Sequence, residues 1–225
     1  MIEKNIIKHP IQKHIIEKLR HTEFARFSEL RPSGVDTNLY SYHLKLLQKN
    51  GLVEKVESGY CLDYEGMKYV DRLNSANMNI RNQPKIITML LVQNSDGEVL
   101  LHLKSKQPYI NSWTLPYGKL RIDDTSTRSA AIRGASDKLG IEIDEINHVG
   151  DAYIRVNQAG EILTSTLAHV FRFDNDDIKL DDSTIWVKPH KLNSYKLAPA
   201  VEQIVARSFF NDPFFFEEYD VELGD

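Results

Sequence analysis

A polar, asparagine-rich stretch at Ser75–Pro84 constrains the fold of this chain more than any other feature. It separates two segments that each show clear hydrophobic periodicity, and it ends in proline. Stretches of this kind are typical of linkers between domains. At 225 residues the chain is also long enough to bury two modest cores. We therefore predict domains at 1–75 and 85–210, a linker at 76–84 and an acidic, aromatic tail at 211–225.

The composition indicates a globular protein of a reducing compartment. Hydrophobic residues make up 41% of the chain and charged residues 27%, which excludes disordered and fibrous classes. The lone Cys61 cannot form an intramolecular disulfide. The first residues carry charges every few positions and lack the apolar core of a signal peptide or a membrane span. We expect a cytoplasmic protein with no membrane partner.

Charge is divided unevenly between the two predicted domains. Residues 1–75 hold 12 Lys and Arg against 10 acids, whereas the rest of the chain holds 16 against 22. A contact with nucleic acid is therefore expected from the first third. The tail at 211–225 carries six acids and no Lys or Arg. Its Phe214–Phe216 run is expected to dock on the body of the chain, with docking on a partner as the alternative.

The first segment predicts a short helix, a second one and a turn. The window His9–Leu19 has apolar residues on one helical face, and Pro10 suits a first turn. Phe27–Leu30 predicts a second helix with Ser28 as a possible cap, which Arg31–Gly34 ends.

A third helix and a hairpin follow. Asn38–Asn50 predicts a helix that starts at Asp36 or Thr37 and is followed by Gly51. Its expected apolar face contains Leu39, His43, Leu46 and Leu47. Alternating residues at 52–56 and 60–63 then predict a β-hairpin, and 64–73 predicts a helix.

The string Ser41–Val53, with Tyr60–Gly66 after it, resembles the recognition helix and wing of ArsR-like and MarR-like transcriptional regulators. The resemblance covers residues 8–75 and implies a winged helix-turn-helix that binds double-stranded DNA. Winged helices that serve protein contacts are the alternative. The residues that would face the major groove are Asn38, Ser41, Tyr42 and Lys45. Those that would approach phosphates are Lys49, Lys55 and His43, although His43 and Tyr40 are equally suited to pack against the first helix and the wing.

The second segment predicts a mixed α/β domain. Strands are expected at 86–92 and 98–103 around the turn Asn94–Gly97, then a helix at 125–139 closed by Gly140. Further strands are expected at 148–156, 163–173 and 185–188, and a last helix at 199–210.

The motif Trp113-Thr-Leu-Pro-Tyr-Gly118, before a loop and a helix ending in Leu139-Gly-Ile141, resembles the Nudix hydrolase family over residues 84–210. The implied fold class is a two-domain α+β protein, with a winged helix-turn-helix followed by a Nudix-type α/β/α sandwich. Nudix enzymes cleave nucleoside diphosphate derivatives with Mg²⁺ or Mn²⁺ held by helix carboxylates. Their box reads G-x5-E-x7-R-E-U-x-E-E-x-G-U, where U is a bulky aliphatic residue.

Most of the box carboxylates are missing. Counting back from Gly140 places the box arginine on Arg133 and its three acids on Gly134, Asp137 and Lys138. The first box acid falls near Asp124 or Thr125 after a one-residue insertion, and Asp123 lies beside Asp124. Three carboxylates on one helix face hold hard cations, and one does not. We therefore expect no catalytic residue, no bound metal and no cofactor.

The pocket is instead expected to bind a phosphate-bearing small molecule, because an ammonium at position 138 can meet a phosphate directly. A solvated surface Lys138 is the alternative. The expected ligand-binding residues are Trp113, Gly118, Asp124, Arg133, Asp137 and Lys138. Lys104 and Lys106 are candidates for the pocket edge, while Tyr117 replaces the first of two glycines usual in the family. The histidines His102, His148, His169 and His190 show no metal-ligand spacing.

These features together favour a DNA-binding transcriptional regulator, expected to be a homodimer, whose Nudix-like domain senses a nucleotide-derived or phosphosugar metabolite. Ligand binding would have to favour one dimer geometry to change the affinity for DNA. The alternative is an active Mg²⁺-dependent Nudix hydrolase with an accessory winged helix. A protein-interaction scaffold is a third possibility.

Overall fold

The structure is a computed structural model in which residues 7–73, 83–210 and 214–223 are described. The chain divides into two compact units. The first is built from the described part of Met1–Asn82 together with Ser105–Ile110, and the second from Gln83–Lys104 and Asn111–Asp225. The predicted linker at 76–84 lies outside the described residues except for its last two positions. No helix in the described parts of the chain combines the length and apolar character needed to cross a membrane.

The first unit contains four helices and a two-stranded antiparallel sheet, in the predicted order. The elements are α1 (Pro10–Leu19), α2 (Phe27–Leu30), α3 (Thr37–Lys49), β1 (Val53–Val56), β2 (Gly59–Leu62) and α4 (Tyr64–Arg72). Pro10 occupies the first turn of α1, as predicted. Gly51 follows α3 with a φ of 66°, a left-handed conformation that glycine adopts without steric cost.

The core of the first unit fixes the rotation of α3. Its buried residues are Tyr40, His43, Leu44 and Leu47. The predicted face was wrong at two positions, since Leu39 is 46% exposed and Leu46 is only half-buried. The Tyr40 hydroxyl donates a hydrogen bond to the backbone carbonyl of Phe27 at 3.1 Å, and this link between α2 and α3 turns the Tyr40 side of the helix inward.

The helix starts of the first unit use side chains that the sequence only partly indicates. The Asp36 carboxylate accepts from the backbone N–H groups of Asn38 and Leu39, which caps α3. The predicted Ser28 cap was wrong. Helix α2 begins at Phe27 with Arg26 in the N-cap position, two residues before Ser28. The Glu29 carboxylate accepts from the Arg26 N–H at 2.6 Å, so a side chain inside the helix satisfies that donor.

The second unit is an eight-stranded sheet with two α-helices and a 3₁₀ helix at Pro189–Ser194. Its strands are β3 (Lys85–Gln93), β4 (Val99–Leu103), β5 (Trp113–Thr114), β6 (Tyr117–Lys119), β7 (Asn147–Gln158), β8 (Glu161–Asp174), β9 (Thr184–Val187) and β10 (Phe215–Leu223). Its α-helices are α5 (Thr127–Leu139) and α6 (Val201–Ser208). The sheet runs in the order β10, β7, β8, β3, β4, β5, while β6 pairs with β3 and β9 with β4. The β3–β8 and β10–β7 pairs are parallel.

Helix α5 packs on one face of this sheet. Ala131 and Ala135 of α5 share a core cluster with Leu90 of β3 and Phe171 of β8, which are neighbours in the parallel register. Small alanine side chains let the helix approach the strands closely. Met89 and Val170, which alternate to the opposite face, are also buried, so both faces of the sheet are covered.

The acidic tail docks on the body of its own chain. Its described part forms β10, which pairs with β7 in parallel over nine residues from Phe215↔Gly150 to Leu223↔Gln158. The Phe215 side chain is only 4% exposed. A Cβ atom added at Gly150 would lie 2.3 Å from the Phe215 ring, so the aromatic ring occupies the space that the glycine leaves. The tail is thus a structural strand of the second unit.

We predict that Phe215→Ala destabilises the second unit by about 3–5 kcal/mol, the cost of emptying a buried phenylalanine site. Phe216→Ala, a matched control at a ring that is 60% exposed, should cost less than about 0.5 kcal/mol. Urea unfolding followed by tryptophan fluorescence measures both, because Trp113 and Trp186 lie in this unit. Equal costs for the two variants would contradict the docked tail.

Candidate functional site

Helix α5 carries the residues that the box alignment singled out. Ser126 caps it by accepting from the Ser129 N–H at 3.0 Å, and the Ser129 hydroxyl oxygen accepts from the Ser126 N–H at 2.9 Å. Gly140 ends the helix with a φ of 65°. Gly134 is buried, while Asp137 and Lys138 are exposed.

A two-pronged ion pair joins α5 to the loop before it. Arg133 Nε donates to Asp124 Oδ1 at 2.8 Å, and its Nη2 donates to Asp124 Oδ2 at 2.7 Å and to the Lys119 carbonyl at 3.1 Å. The Arg121 N–H donates to the same carboxylate at 2.7 Å. Hydrogen bonding from Arg133 is the main reason why the pKa of Asp124 falls to about 2. The Asp124 side chain is only 8% exposed. We call the ion pair between Arg133 and Asp124 the clasp.

The remaining helix carboxylate is also held by arginines. Asp137 Oδ2 accepts from Arg133 Nη1 at 3.3 Å and from Arg121 Nη2 at 3.1 Å. Of the three acid positions of the box, one keeps a carboxylate, and two guanidinium groups already contact it. A Mg²⁺ ion needs several oxygen ligands without cations among them. The residues present therefore do not fit the magnesium site of Nudix enzymes, and Asp124 is a clasp residue rather than a metal ligand.

Gly134 on α5 and Gly118 on β6 lie close to each other, and Gly134 is at a position where the family box has an acid. A Cβ atom added at Gly134 would lie 3.8 Å from Thr88 Oγ1, and one added at Gly118 would lie equally far from the same atom. These are ordinary contact distances, so close packing does not force glycine at either position. The Thr88 hydroxyl is buried and has no hydrogen-bond partner among the described residues.

Tyr117 is contacted by one lysine and is subject to the charges of two others. Lys104 Nζ donates to the Tyr117 hydroxyl at 3.0 Å and lies 5.1 Å from the ring centroid. Burial, the largest influence, would raise the pKa of Tyr117, but the charges of Lys104, Lys85 and Lys138 together lower it. The pKa of His102 is lowered by burial first and then by Lys138. The charges of three lysines therefore act on Tyr117. We call them the lysine group: Lys85 on β3, Lys104 directly after β4 and Lys138 on α5.

The predicted ligand residues divide between these two arrangements. Gly118, Asp124, Arg133 and Asp137 belong to the clasp and its surroundings, and Lys138 belongs to the lysine group. Trp113 lies on β5, and its ring makes an edge contact with Tyr195 at 6.4 Å between centroids. Lys106 is part of the first compact unit, which differs from the pocket-edge prediction.

In the first unit, α3 presents a polar face to solvent. Asn38, Tyr42, Lys45 and Lys49 are exposed at helical spacing, Ser41 is half-buried, and Lys55 is exposed on β1. The expectation that His43 approaches phosphates was wrong. Its ring is 7% exposed and stacks on His9 at 3.9 Å, and burial followed by the His9 charge lowers its pKa. His43 is a packing residue.

The sequence missed one cluster of metal-ligating side chains. His148, Asp151 and His169 offer ligand atoms that all lie within 4.8 Å of one another, although the histidines showed no metal-ligand spacing along the chain. Strand pairing brings them together, since His169 lies opposite Asp151 in the antiparallel β7–β8 register. Such a long-range contact leaves no signal in local spacing.

No protein-family model matches the chain, and no curated protein matches it. The chain is similar to the crystal structure of the mutator MutT protein from Bacillus halodurans, with 18% identity and a TM-score of 0.50 over 60% of this chain and 89% of that one. The NUDIX domain of Shewanella oneidensis NrtR, crystallised with ADP ribose, is 14% identical with a TM-score of 0.47, over 63% and 94%. NrtR of Shewanella oneidensis with a 27mer DNA is 14% identical with a TM-score of 0.44, over 55% and 59%. At this identity the MutT likeness shows the fold alone, which is mixed α+β and Nudix-like.

We predict that Asp124→Asn lowers the unfolding free energy of the second unit by about 1.5–3 kcal/mol, because it removes a charged acceptor shared by three donors. Asp137→Asn, whose side chain is 47% exposed, should cost less than about 1 kcal/mol. Urea unfolding by tryptophan fluorescence gives both values.

Since folding lowers the pKa of Asp124, the contribution of its carboxylate to stability is present above the ordinary Asp pKa of about 3.9. It is lost as the pH falls towards about 2. The clasp would be contradicted if Asp137→Asn lowered the free energy of unfolding more than Asp124→Asn does. It would also be contradicted if the difference in unfolding free energy between wild type and Asp124→Asn increased as the pH falls.

Proposed function

We propose that the chain is a DNA-binding transcriptional regulator whose second unit binds a phosphate-bearing metabolite without hydrolysing it. The observation that carries the proposal is the exchange of charge on and around α5. The carboxylates that would hold a metal are absent or tied to arginines. By contrast, the Lys104 ammonium contacts Tyr117, and the charges of Lys85 and Lys138 act on the same phenol. A site with this charge attracts anions and repels divalent cations.

The first unit supports the DNA-binding part. Helix, short helix, turn, helix and hairpin is the element order of a winged helix, in which α3 would enter the major groove and the β1–β2 hairpin would form the wing. The exposed face of α3 offers an amide, a phenol and ammonium groups at helical spacing. In this proposal Asn38, Ser41, Tyr42 and Lys45 contact base edges, and Lys49 and Lys55 contact phosphates.

The lysine group supports the ligand-binding part. A lysine ammonium binds phosphate as a point charge and needs no metal between them. The lowered pKa of His102 keeps that ring uncharged near neutral pH, so the lysines supply the positive charge. A nucleotide-derived or phosphosugar ligand has the matching negative charge. In this proposal Lys138 contacts a phosphate oxygen, while the clasp ties the middle of α5 to the loop before it.

For the ligand to regulate DNA binding, the ligand-bound and ligand-free forms of the chain must differ in their affinity for DNA. We propose a homodimer in which the ligand favours one arrangement of the DNA-binding units over another, so that DNA affinity depends on ligand concentration. Homodimers of winged helices bind two half-sites, which makes the affinity for DNA sensitive to the distance between the units.

We predict salt-sensitive binding of duplex DNA by the full chain. Lys49→Ala and Lys55→Ala should each reduce the slope of log Kd against log salt concentration by about one, because each side chain neutralises a phosphate in the proposal. Lys18→Ala on α1 is the matched control, because this exposed lysine lies on another helix and should leave the slope unchanged. Fluorescence anisotropy with duplexes selected from a random pool gives the slopes. If no duplex binds at low salt, the chain is not a DNA-binding protein of this kind.

We also predict that the second unit binds a diphosphate-containing ligand in EDTA and that Lys138→Glu weakens binding at least tenfold, the loss expected for about 1.5–3 kcal/mol in one charged hydrogen bond. The probes are ADP-ribose, NAD and nucleoside diphosphate sugars, titrated calorimetrically. Lys179→Glu is the control, since it makes the same charge change at an exposed residue between β8 and β9.

Three results would contradict this part of the proposal. Equal affinity of wild type and Lys138→Glu would show that Lys138 is a solvated surface residue. Absence of binding to all probes would remove the sensing role. Mg²⁺-dependent turnover of a probe, abolished by Asp137→Asn, would favour the hydrolase alternative.

A further inference from the structure

A second set of chemically active side chains lies on β7 and β8, apart from the clasp and the lysine group. His148 Nε2 lies 2.8 Å from Asp151 Oδ1, and His169 Nδ1 lies 2.7 Å from the same oxygen. Two imidazoles thus point at one carboxylate oxygen. Among the described residues this is the one group of three or more His, Cys, Asp or Glu side chains close enough to share a metal ion. We propose that these three residues bind a divalent transition metal of the Zn²⁺ class.

The backbone is shaped to bring the three side chains together. Residues three apart on a regular strand point to opposite faces of the sheet, so His148 and Asp151 would normally diverge. The register shifts between His148 and Gly150, which leaves Val149 as an extra residue on β7. This bulge returns His148 to the face of Asp151 and His169, because β-bulges re-aim side chains at such points.

The ring of His148 is held in its position by aromatic contacts. It stacks on Phe171 with 4.6 Å between centroids and a 16° angle between planes. Phe214, which directly precedes β10, makes an edge contact with the His148 ring at 5.0 Å between centroids. Packing of this kind reduces the entropy lost when a metal fixes a ligand, and it leaves the metal-facing nitrogen directed at Asp151.

Two of the three separations between ligand atoms, those from the histidine nitrogens to Asp151 Oδ1, are close to those of a metal site. The third, between the two nitrogens, is within 4.8 Å. A tetrahedral Zn²⁺ ion with bonds of about 2.0–2.1 Å holds its ligand atoms about 3.3 Å apart. The two nitrogens must each move outward from the Asp151 oxygen by about half an ångström from their present 2.7 and 2.8 Å. On metal binding, each nitrogen that now faces Oδ1 turns a lone pair to the ion, and its ring carries the proton on the other nitrogen.

The ligand types select the class of metal. Imidazole favours Zn²⁺, Co²⁺, Ni²⁺ or Cu²⁺ over Mg²⁺ and Ca²⁺, which prefer all-oxygen sites. Two histidines and one carboxylate supply three ligands and leave a fourth position open. The side chains of His148, Asp151 and His169 are 31%, 21% and 17% exposed, so an ion can enter from solvent.

The site lies on the same face of the sheet as α5. His169 is the register neighbour of Thr88, whose hydroxyl oxygen lies beside the Gly134 position of that helix. The three ligands therefore lie on the face of the sheet that α5 covers. The metal site is independent of the proposed regulator function, because none of its ligands belongs to the lysine group or the first unit.

The test uses the full chain without an affinity tag, freed of metal with EDTA and titrated with Co²⁺ and then Zn²⁺. Wild type should bind one equivalent of Co²⁺, with the visible ligand-field absorption of a nitrogen–oxygen site, and Zn²⁺ should displace it. His169→Gln and Asp151→Asn should weaken binding at least about a hundredfold, since even outer partners of metal ligands cost tenfold to a hundredfold. His190→Gln, at an exposed histidine of the same unit, should bind as wild type.

Two outcomes would overturn the proposal: unchanged affinity in variants shown to be folded by urea unfolding, or no saturable binding by wild type at one equivalent. A measurement on wild type alone covers the case in which the variants fail to fold. The X-ray absorption spectrum of the zinc-loaded chain should show two imidazoles and only nitrogen or oxygen ligands at about 2.0–2.1 Å. A sulfur ligand at about 2.3 Å would place the metal at Cys61 instead and would contradict the site.

Discussion

The ion pair between Arg133 and Asp124 is the interaction on which the site of the second unit depends. It joins the loop after β6 to the middle of α5 through two hydrogen bonds of 2.7 and 2.8 Å, and its carboxylate is almost fully buried. Removal of either partner would leave a charge with few compensating contacts, which is costly in a low-dielectric environment. The same pair also decides the chemistry, because a carboxylate held by a guanidinium is a poor ligand for a divalent cation.

The sequence predicted the elements well where local signals specify them. Pro10, Gly51, Gly97 and Gly140 lie at helix or turn boundaries as expected, because proline and left-handed glycine positions are determined by a few neighbouring residues. Long-range contacts were not predictable in the same way. The Tyr40–Phe27 hydrogen bond that rotates α3 and the pairing of β10 with β7 both depend on residues far apart in the chain.

In the candidate site, too, local features were predictable from the sequence and long-range contacts were not. Counting along the box predicted its helix acid positions at Gly134, Asp137 and Lys138 without a structure, since the spacing of a helical motif is local. The structure was needed to find the arginine partners of Asp124 and Asp137. It was also needed to find that the charges of the lysine group act on Tyr117. The bulge at Val149 is the clearest case, because it reverses the direction of a side chain that the strand period would send to the other face.

The central claim, that ligand binding at an anion-attracting site controls DNA binding, is tested most directly by one linkage measurement. The affinity of the full chain for its selected duplex is measured by anisotropy in EDTA, with and without saturating ADP-ribose or whichever diphosphate probe binds. The account predicts a change in DNA affinity of at least about fivefold, and an equal change in ligand affinity when DNA is saturating, because coupling free energies are reciprocal. DNA affinity that stays constant at saturating ligand would contradict the account.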